Sequence, residues 1–226
     1  MKLDARLAAV AACVRDGAFL ADVGTDHAYL PIALTEAGRL SGAVASDVRR
    51  GPIASAEKNI RAAGLAGRIE TRLCDGLDGM EALPLTDIVI AGMGGQMIAS
   101  ILERAAFVRE KKTYLVLQPM QNVVELREYL SHGYDILRET LVREGDKLYQ
   151  ILCVRYDGCE HPLTPLTAAL GAYLIEHKTE MQDDFTLLCR RKLAVLDERI
   201  RGLTGGGRDA SAERELRDAI AAELDF

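Results

Sequence analysis

Apolar and polar positions along the 226-residue chain follow two alternating rhythms. Short apolar runs that predict strands lie at Ala18–Val23, Gly42–Asp47, Ile69–Cys74, Asp87–Ala91 and Tyr114–Gln118. Between them apolar residues recur at steps of three and four, which predicts helices over Tyr29–Ala37, Ile53–Ala63, Gln96–Ala105 and Val123–His132. Pro52 at the start and Gly64 at the end frame the second of these, the asymmetry expected of helix termini. An amphipathic helix in "MKLDARLAAVAACVRDG" precedes the first strand. Alternation of this kind predicts an α/β fold with a parallel sheet covered on both faces.

The pattern then changes. Tyr134–Val142 and Leu148–Tyr156 are strand-like runs joined by "REGDK", whose Gly and Asp suit a hairpin. Nicotinamide-type Rossmann sheets usually end on a parallel strand. Class I S-adenosylmethionine methyltransferases end on a reversed hairpin, a fold-level analogy. "DGCEHPLTPLT", with two prolines and few apolar residues, marks a domain boundary and divides the chain into 1–157 and 158–226. Beyond it Phe185, Cys189, Leu193, Leu196, Ile200 and Leu203 form an apolar helical stripe. "TGGGRDAS" interrupts it, with Ser211 or Asp209 as the next helix cap, and Leu216, Ile220 and Leu224 continue at steps of four. The expectation is an antiparallel, coiled-coil-like helical hairpin, serving either simple packing or as an arm for a substrate or partner.

Composition narrows the class. Hydrophobic residues make up 49% of the chain, which excludes disorder. No apolar run approaches the roughly 20 residues of a membrane span, and the charged N-terminal stretch does not read as a secretory signal. A cytoplasmic protein, monomer or weak homodimer, is the expectation. The five cysteines form no CxxC pair and have no histidine at zinc-finger spacing, so thiols rather than a metal site are expected. A net charge of -6 argues mildly against nucleic acid as a partner, though a local basic face can coexist with an acidic total.

Candidate chemistry sits at the strand ends. Asp22, Asp47 and Asp75 close the first three strand regions in turn, where open α/β sheets bind ligands. Asp47 follows Asp22 at close to the offset of a ribose-binding acid, and a carboxylate can accept from both ribose hydroxyls. Asp75, followed by Gly76 and Leu77, is placed to reach an adenine amino group. The first turn, "ADVGTDHAYLPI", lacks the glycine-rich dinucleotide fingerprint, because Asp26 and His27 stand where small residues are expected. Asp22 and Gly24 instead fit the first-motif pattern of S-adenosylmethionine enzymes. A pyrophosphate wants bare backbone amides, whereas a sulfonium tolerates carboxylates nearby. The fourth strand ends in Ala91–Gly92–Met93–Gly94–Gly95, where glycines let backbone approach a flat ligand. The fifth ends in "LQPMQN", with Gln118 and Asn122 offering amides to a nucleobase edge.

Together "ADVGTDHAYLPI", "GPIASAEKNI", "DGL", "IAGMGG" and "LQP" resemble the bacterial tRNA adenine-N1 methyltransferase family, TrmK-like, which modifies adenosine 22 in the D-arm region. The resemblance covers the N-terminal domain nearly end to end, and the helical tail fits it. It implies a class I methyltransferase domain with a helical extension, S-adenosyl-L-methionine as donor, S-adenosyl-L-homocysteine as product and tRNA as acceptor. By matching positions, it implies that Asp22, Gly24, Asp26 and His27 line the methionine part. Asp47 would take the ribose, Val48 would belong to the cofactor set, and Asp75, Gly76 and Leu77 would frame the adenine. Ala91, Gly92 and Met93 would complete the cofactor set, with Met93 also bordering the incoming base. The implied acceptor set is Tyr29, Gly94, Gly95, Gln118, Pro119 and Asn122. The implied catalytic set is Asp26, His27 and Tyr29.

Adenine N1 carries its own lone pair, so the reaction needs alignment more than a general base. Asp26 would stabilise the cationic ring as it forms or bind the cofactor's amino group. His27 would orient a water or that carboxylate, or serve as a structural histidine. Tyr29 would stack on the base or fill the core. Arg6, Arg49, Arg50, Arg190, Arg191 and Lys192 are candidates for phosphates, although "RRK" on a helix also reads as a solvated face. The alternatives are methylation of another RNA, a protein or a small molecule, and a non-catalytic cofactor-binding adaptor.

Overall fold

The computed structural model describes residues 3–224. Seven strands form one sheet in the order β3-β2-β1-β4-β5-β7-β6. β1 (Ala18–Val23), β2 (Leu40–Asp47), β3 (Ile69–Leu73), β4 (Asp87–Gly94) and β5 (Tyr114–Gln121) run parallel. β6 (His132–Glu144) and β7 (Lys147–Glu160) form the terminal hairpin, with β7 antiparallel to β5. The predicted strand cores are all present. The central strands read as unbroken apolar runs because helices cover both faces: Ile88 and Ile90 pack on one side, Val89 on the other, all at 0% exposure.

The helices between strands are α1 (Ala5–Cys13), α2 (Tyr29–Glu36), α3 (Arg50–Ala62), α4 (Gly95–Arg104), α5 (Ala106–Glu110) and α6 (Val123–Leu130). Asp4 caps α1 by accepting from the Leu7 N–H at 2.7 Å. α3 begins two residues before Pro52, which lies in its first turn where no intrahelical donor is lost, and Gly64 follows it at φ +70°. α6 stops two residues short of the expected His132. Gly133, at φ +111°, turns the chain and His132 opens β6 instead. The hairpin closes through Gly145 and Asp146, within the predicted "REGDK" joint, and both strands extend beyond the expected runs, β7 as far as Glu160.

The tail contributes α7 (Pro165–Leu170), α8 (Ala172–Glu176), a 3-10 turn (Lys178–Met181), α9 (Gln182–Gly205) and α10 (Ser211–Ala222). α7 starts on a reciprocal Thr164–Thr167 capping box with Pro165 at its first position. α9 and α10 make an antiparallel hairpin, pinned by Arg217–Asp197 at 2.7 Å and Arg199–Glu213 at 2.9 Å. At the start of α10 the Asp209 carboxylate accepts from the Ser211 N–H and hydroxyl, and no side chain caps the helix itself. Phe185, Cys189 and Ile220 are fully buried in a separate cluster with Leu170, Leu174 and Leu141, so the stripe turns inward onto α7, α8 and β6. Arg127 and Glu139, both buried, fasten this junction. The Arg127 guanidinium donates to Glu139 Oε1 at 2.6 and 3.0 Å, to Gln150 Oε1 at 2.8 Å, and to the carbonyls of Ala168 and Leu170. Gly171 is required beside them, since a Cβ there would lie 2.1 Å from Glu139 Oε2. Among the described residues no helix is long and apolar enough to cross a membrane, no group of side chains is placed to hold a metal ion, and all five cysteines are free thiols.

Candidate active site

The order of the sheet reverses at β1, which pairs with β2 on one side and β4 on the other. Beyond the carboxyl ends of these strands lies a cavity of about 590 Å³, the expected place for a ligand in an open α/β sheet. The ends of β1 and β2 and the chain just past β3 supply Gly24, Asp47, Val48, Arg49, Asp75 and Gly76. The end of β4 supplies Ala91 to Gly94, and α4 supplies Met97, Ser100, Ile101 and Arg104.

The first turn is held under strain. The Gly24 and Thr25 N–H groups both donate to the Ser46 carbonyl at 2.8 Å, binding the turn to β2. Gly24 sits at φ +73°, and a Cβ there would fall 2.3 Å from Met93 Cε, so the turn and the β4 loop approach only because this position has no side chain. Asp26 and Ala28 also adopt left-handed backbone, at φ 52° and 57°. Such residues cost on the order of 1–3 kcal/mol each and persist where surrounding structure over-determines them. Here the Asn59 amide donates to the His27 carbonyl at 3.0 Å and fixes the turn from α3.

Asp22 lies behind this turn. It is buried and accepts from the Thr25 hydroxyl at 2.5 Å, and burial pushes its carboxyl up to about 6. It does not line the cavity. Asp26, His27 and Tyr29 stand outside the lining as well, on the solvent side of the same turn. His27 Nε2 lies 3.3 Å from Asp26 Oδ2, and its ring stacks on Tyr29 with centroids 5.1 Å apart. Tyr29 is 40% exposed and presents an open aromatic face.

Asp47 is buried at the end of β2. Its Oδ1 accepts from the Arg49 N–H at 2.9 Å and faces the Arg49 guanidinium at 3.4 Å, which leaves Oδ2 for an incoming hydroxyl. Asp75 is held differently, by two parallel bonds from Arg104 at 2.9 and 3.0 Å. The Arg104 guanidinium holds the Asp75 carboxyl below its usual range. Gly76 lines the cavity, and a Cβ there would press on Ile101 at 3.0 Å. Leu77 does not line it and belongs to the core. This donor set fits S-adenosylmethionine: a glycine cradle, a ribose-height carboxylate with one free oxygen and an acid at the far end.

Along the acceptor side Gln118 is wholly buried and its amide is used internally. Its Oε1 accepts from Arg6 Nη1 at 2.9 Å and from the Gly92 N–H at 3.2 Å, and its Nε2 donates to the Pro119 carbonyl. It anchors the β4 loop rather than facing outward. Gly95 opens α4 in contact with α6, where a Cβ would meet the Asn122 carbonyl at 2.1 Å. Asn122, at φ 59°, bonds through its amide to Glu125. Arg190 and Arg191 are exposed, Lys192 is half-buried, and Arg191 donates to the Asp146 carbonyl at 2.5 Å.

Sequence reasoning missed Arg104, Met97, Ser100 and Ile101. Their spacing of three and four on α4 is a readable signal, since it puts all of them on one helical face. The pairing of Arg104 with Asp75 had no sequence signal, because 29 positions separate them.

Residues 3–152 match a family described as a methyltransferase domain. The tRNA (adenine(22)-N(1))-methyltransferase of Bacillus subtilis is 39% identical over 153 residues, which span 67% of this chain and 64% of that protein. The structure of Streptococcus pneumoniae Sp1610 in complex with S-adenosyl-L-methionine superposes with a TM-score of 0.84 at 34% identity, covering 99% of this chain and 100% of that one. M. capricolum TrmK in complex with S-adenosyl-homocysteine superposes with a TM-score of 0.84 at 25% identity, over 100% of this chain and 99% of that one. Sequence and fold agree along the methyltransferase domain, and the fold agrees through the tail: the chain belongs to the bacterial tRNA (adenine(22)-N(1))-methyltransferase family.

Proposed function

We infer that this protein transfers a methyl group from S-adenosyl-L-methionine to N1 of adenosine 22 in tRNA. The observation that carries the reading is the glycine-lined cavity at the β1/β4 reversal, with Asp47 offering an unused carboxylate oxygen. The bound cofactor supplies an electrophilic methyl carried on a sulfonium.

The residues of the chain divide the remaining work. Asp47 accepts from the ribose hydroxyls, and Val48 and Met97, both exposed and apolar, flank the adenine. Asp75 accepts from the adenine amino group while Arg104 holds its carboxylate in place. Asp22 does not touch the cofactor; it holds Thr25 and so fixes the turn. The lip Gly92–Gly94, anchored by Gln118, admits the target base edge-on toward the cavity. Tyr29 stacks on the extruded base, an interaction worth roughly 1–3 kcal/mol. Asp26 lies beside it to balance the positive charge that the ring acquires, and His27 orients that carboxylate through the 3.3 Å contact. No side chain needs to remove a proton from N1 before attack.

The cofactor-binding part runs through the end of β7 at Glu160, three residues past the expected boundary at 157, and the helical part begins with α7. A tRNA substrate supports a cytoplasmic location, and we propose a monomer or weak homodimer. Nucleoside mass spectrometry of tRNA incubated with protein and donor is the test. We expect 1-methyladenosine at position 22; no methyl, or a methyl on another atom, overturns the reading.

A further inference from the structure

We propose that a second cavity, on the far side of the Gly92–Gly94 lip, receives the nucleotide flanking the target adenine, with Lys147 holding its phosphate; this rests on the tRNA reading above. Topology brings the parts together. β6 runs parallel to β5 because β7 is antiparallel to both, so the β6–β7 tip emerges at the same sheet edge as the cofactor cavity. Between that tip, the end of β5 and α9 lies a cavity of about 280 Å³.

The two cavities share a wall. Gly94 lines the first and pairs in register with Gln121, which lines the second. A Cβ at Gly94 would lie 3.6 Å from Gln121 Nε2. Arg6 braces the wall from the other side. It donates to the Gln118 oxygen that also holds the Gly92 N–H, and its guanidinium lies 5.8 Å over the ring of Tyr149, another lining residue. A base seated at the lip therefore has its strand neighbour beside this second cavity.

Three residues of the lining, which also carries the exposed Asp146, match parts of a nucleotide. Met120, 47% exposed, offers an apolar face for a base. Gln121 offers an amide to a base edge. Lys147 is exposed and has no ion-pair partner among the described residues, as a phosphate ligand requires. Arg191 is already committed to the Asp146 carbonyl, so α9 braces the tip without itself contacting RNA there. The tail thereby gains a defined task, which is to build one wall of the acceptor site.

The test compares the full-length protein with Lys147→Ala, Lys147→Arg and Gln121→Ala, and with Lys58→Ala as a control on exposed α3. Measurements are tRNA binding by anisotropy across a salt series, kcat/KM for tRNA methylation, and S-adenosylhomocysteine affinity by calorimetry. Lys147→Ala is expected to weaken tRNA binding about fivefold to tenfold and to lower the salt slope by about one. Lys147→Arg restores both, Gln121→Ala raises KM for tRNA, and cofactor affinity stays within about twofold throughout. If the wild type methylates tRNA and Lys147→Ala and Gln121→Ala match it, the subsite is overturned while the reaction stands. If the wild type binds tRNA through Lys147 yet transfers no methyl, the subsite stands and the assigned reaction is lost. Equal loss of tRNA and cofactor affinity in Lys147→Ala also overturns the subsite.

Discussion

The cofactor cavity and the tail junction each hold an arginine–carboxylate pair, in opposite surroundings. Asp75 and Arg104 meet at the cavity rim with side chains 53% and 46% exposed. Arg127 and Glu139 meet with neither side chain exposed, and four further acceptors or neighbours close around them. Water screens the rim pair, so it contributes little to folding and its carboxylate can still accept from a ligand. The junction pair is buried, so its remaining members become a liability when one is removed. One pair is adjustable and serves binding; the other is fixed and serves architecture.

The strongest way to break that distinction is Glu139→Ala. It should cost about 3–5 kcal/mol in urea unfolding, because it strands the Arg127 guanidinium in the interior. Replacing both, as Arg127→Met with Glu139→Leu, should recover only part of the loss, since Gln150 Oε1 and the Ala168 and Leu170 carbonyls then lack their donor. Deleting residues 168–226 would also remove the Ala168 and Leu170 carbonyls from Arg127, so truncation tests stability before it tests RNA binding.

Asp22 sharpens the comparison, since it is buried like Glu139 but pairs with no cation among the described residues. Its folded value of about 6 lies above the ordinary 3.8, so folding favours the neutral acid. Its contribution is intact below about pH 4 and is lost as pH rises through about 6, a change of about 3 kcal/mol at most. Asp22→Asn should flatten the pH dependence of stability between those limits. An unchanged slope would mean that Asp22 is ionised without penalty.

Asp47→Ala should weaken S-adenosylhomocysteine about 10- to 100-fold by calorimetry, as expected for loss of charge-assisted bonds, with tRNA affinity unchanged. Equal loss of both would remove the ribose assignment. The smallest effect belongs to the rim pair: Arg104→Met should weaken the cofactor only about twofold to threefold and leave unfolding unaltered. A large loss of stability in that variant would erase the contrast with Glu139.

Much of this was legible in order along the chain. The strand cores, the closing hairpin, the helical tail and the cavity glycines follow from periodicity and turn chemistry, which act within a few residues. The roles of Gln118 and Leu77 were not legible. An amide at a strand end and an apolar residue after Asp75–Gly76 look alike whether they face a ligand or the core, and only packing shows that Gln118 spends its bonds on Arg6, Gly92 and Pro119.

By itself the sequence determined the α/β alternation, the antiparallel ending and the row of acids at the strand ends, because burial and backbone preference are written residue by residue. Tertiary structure alone decided which acids face the cavity, which arginine meets which carboxylate, and where the tail touches the sheet. Those outcomes depend on contacts between residues 12 to 112 positions apart, and on desolvation that no local pattern encodes.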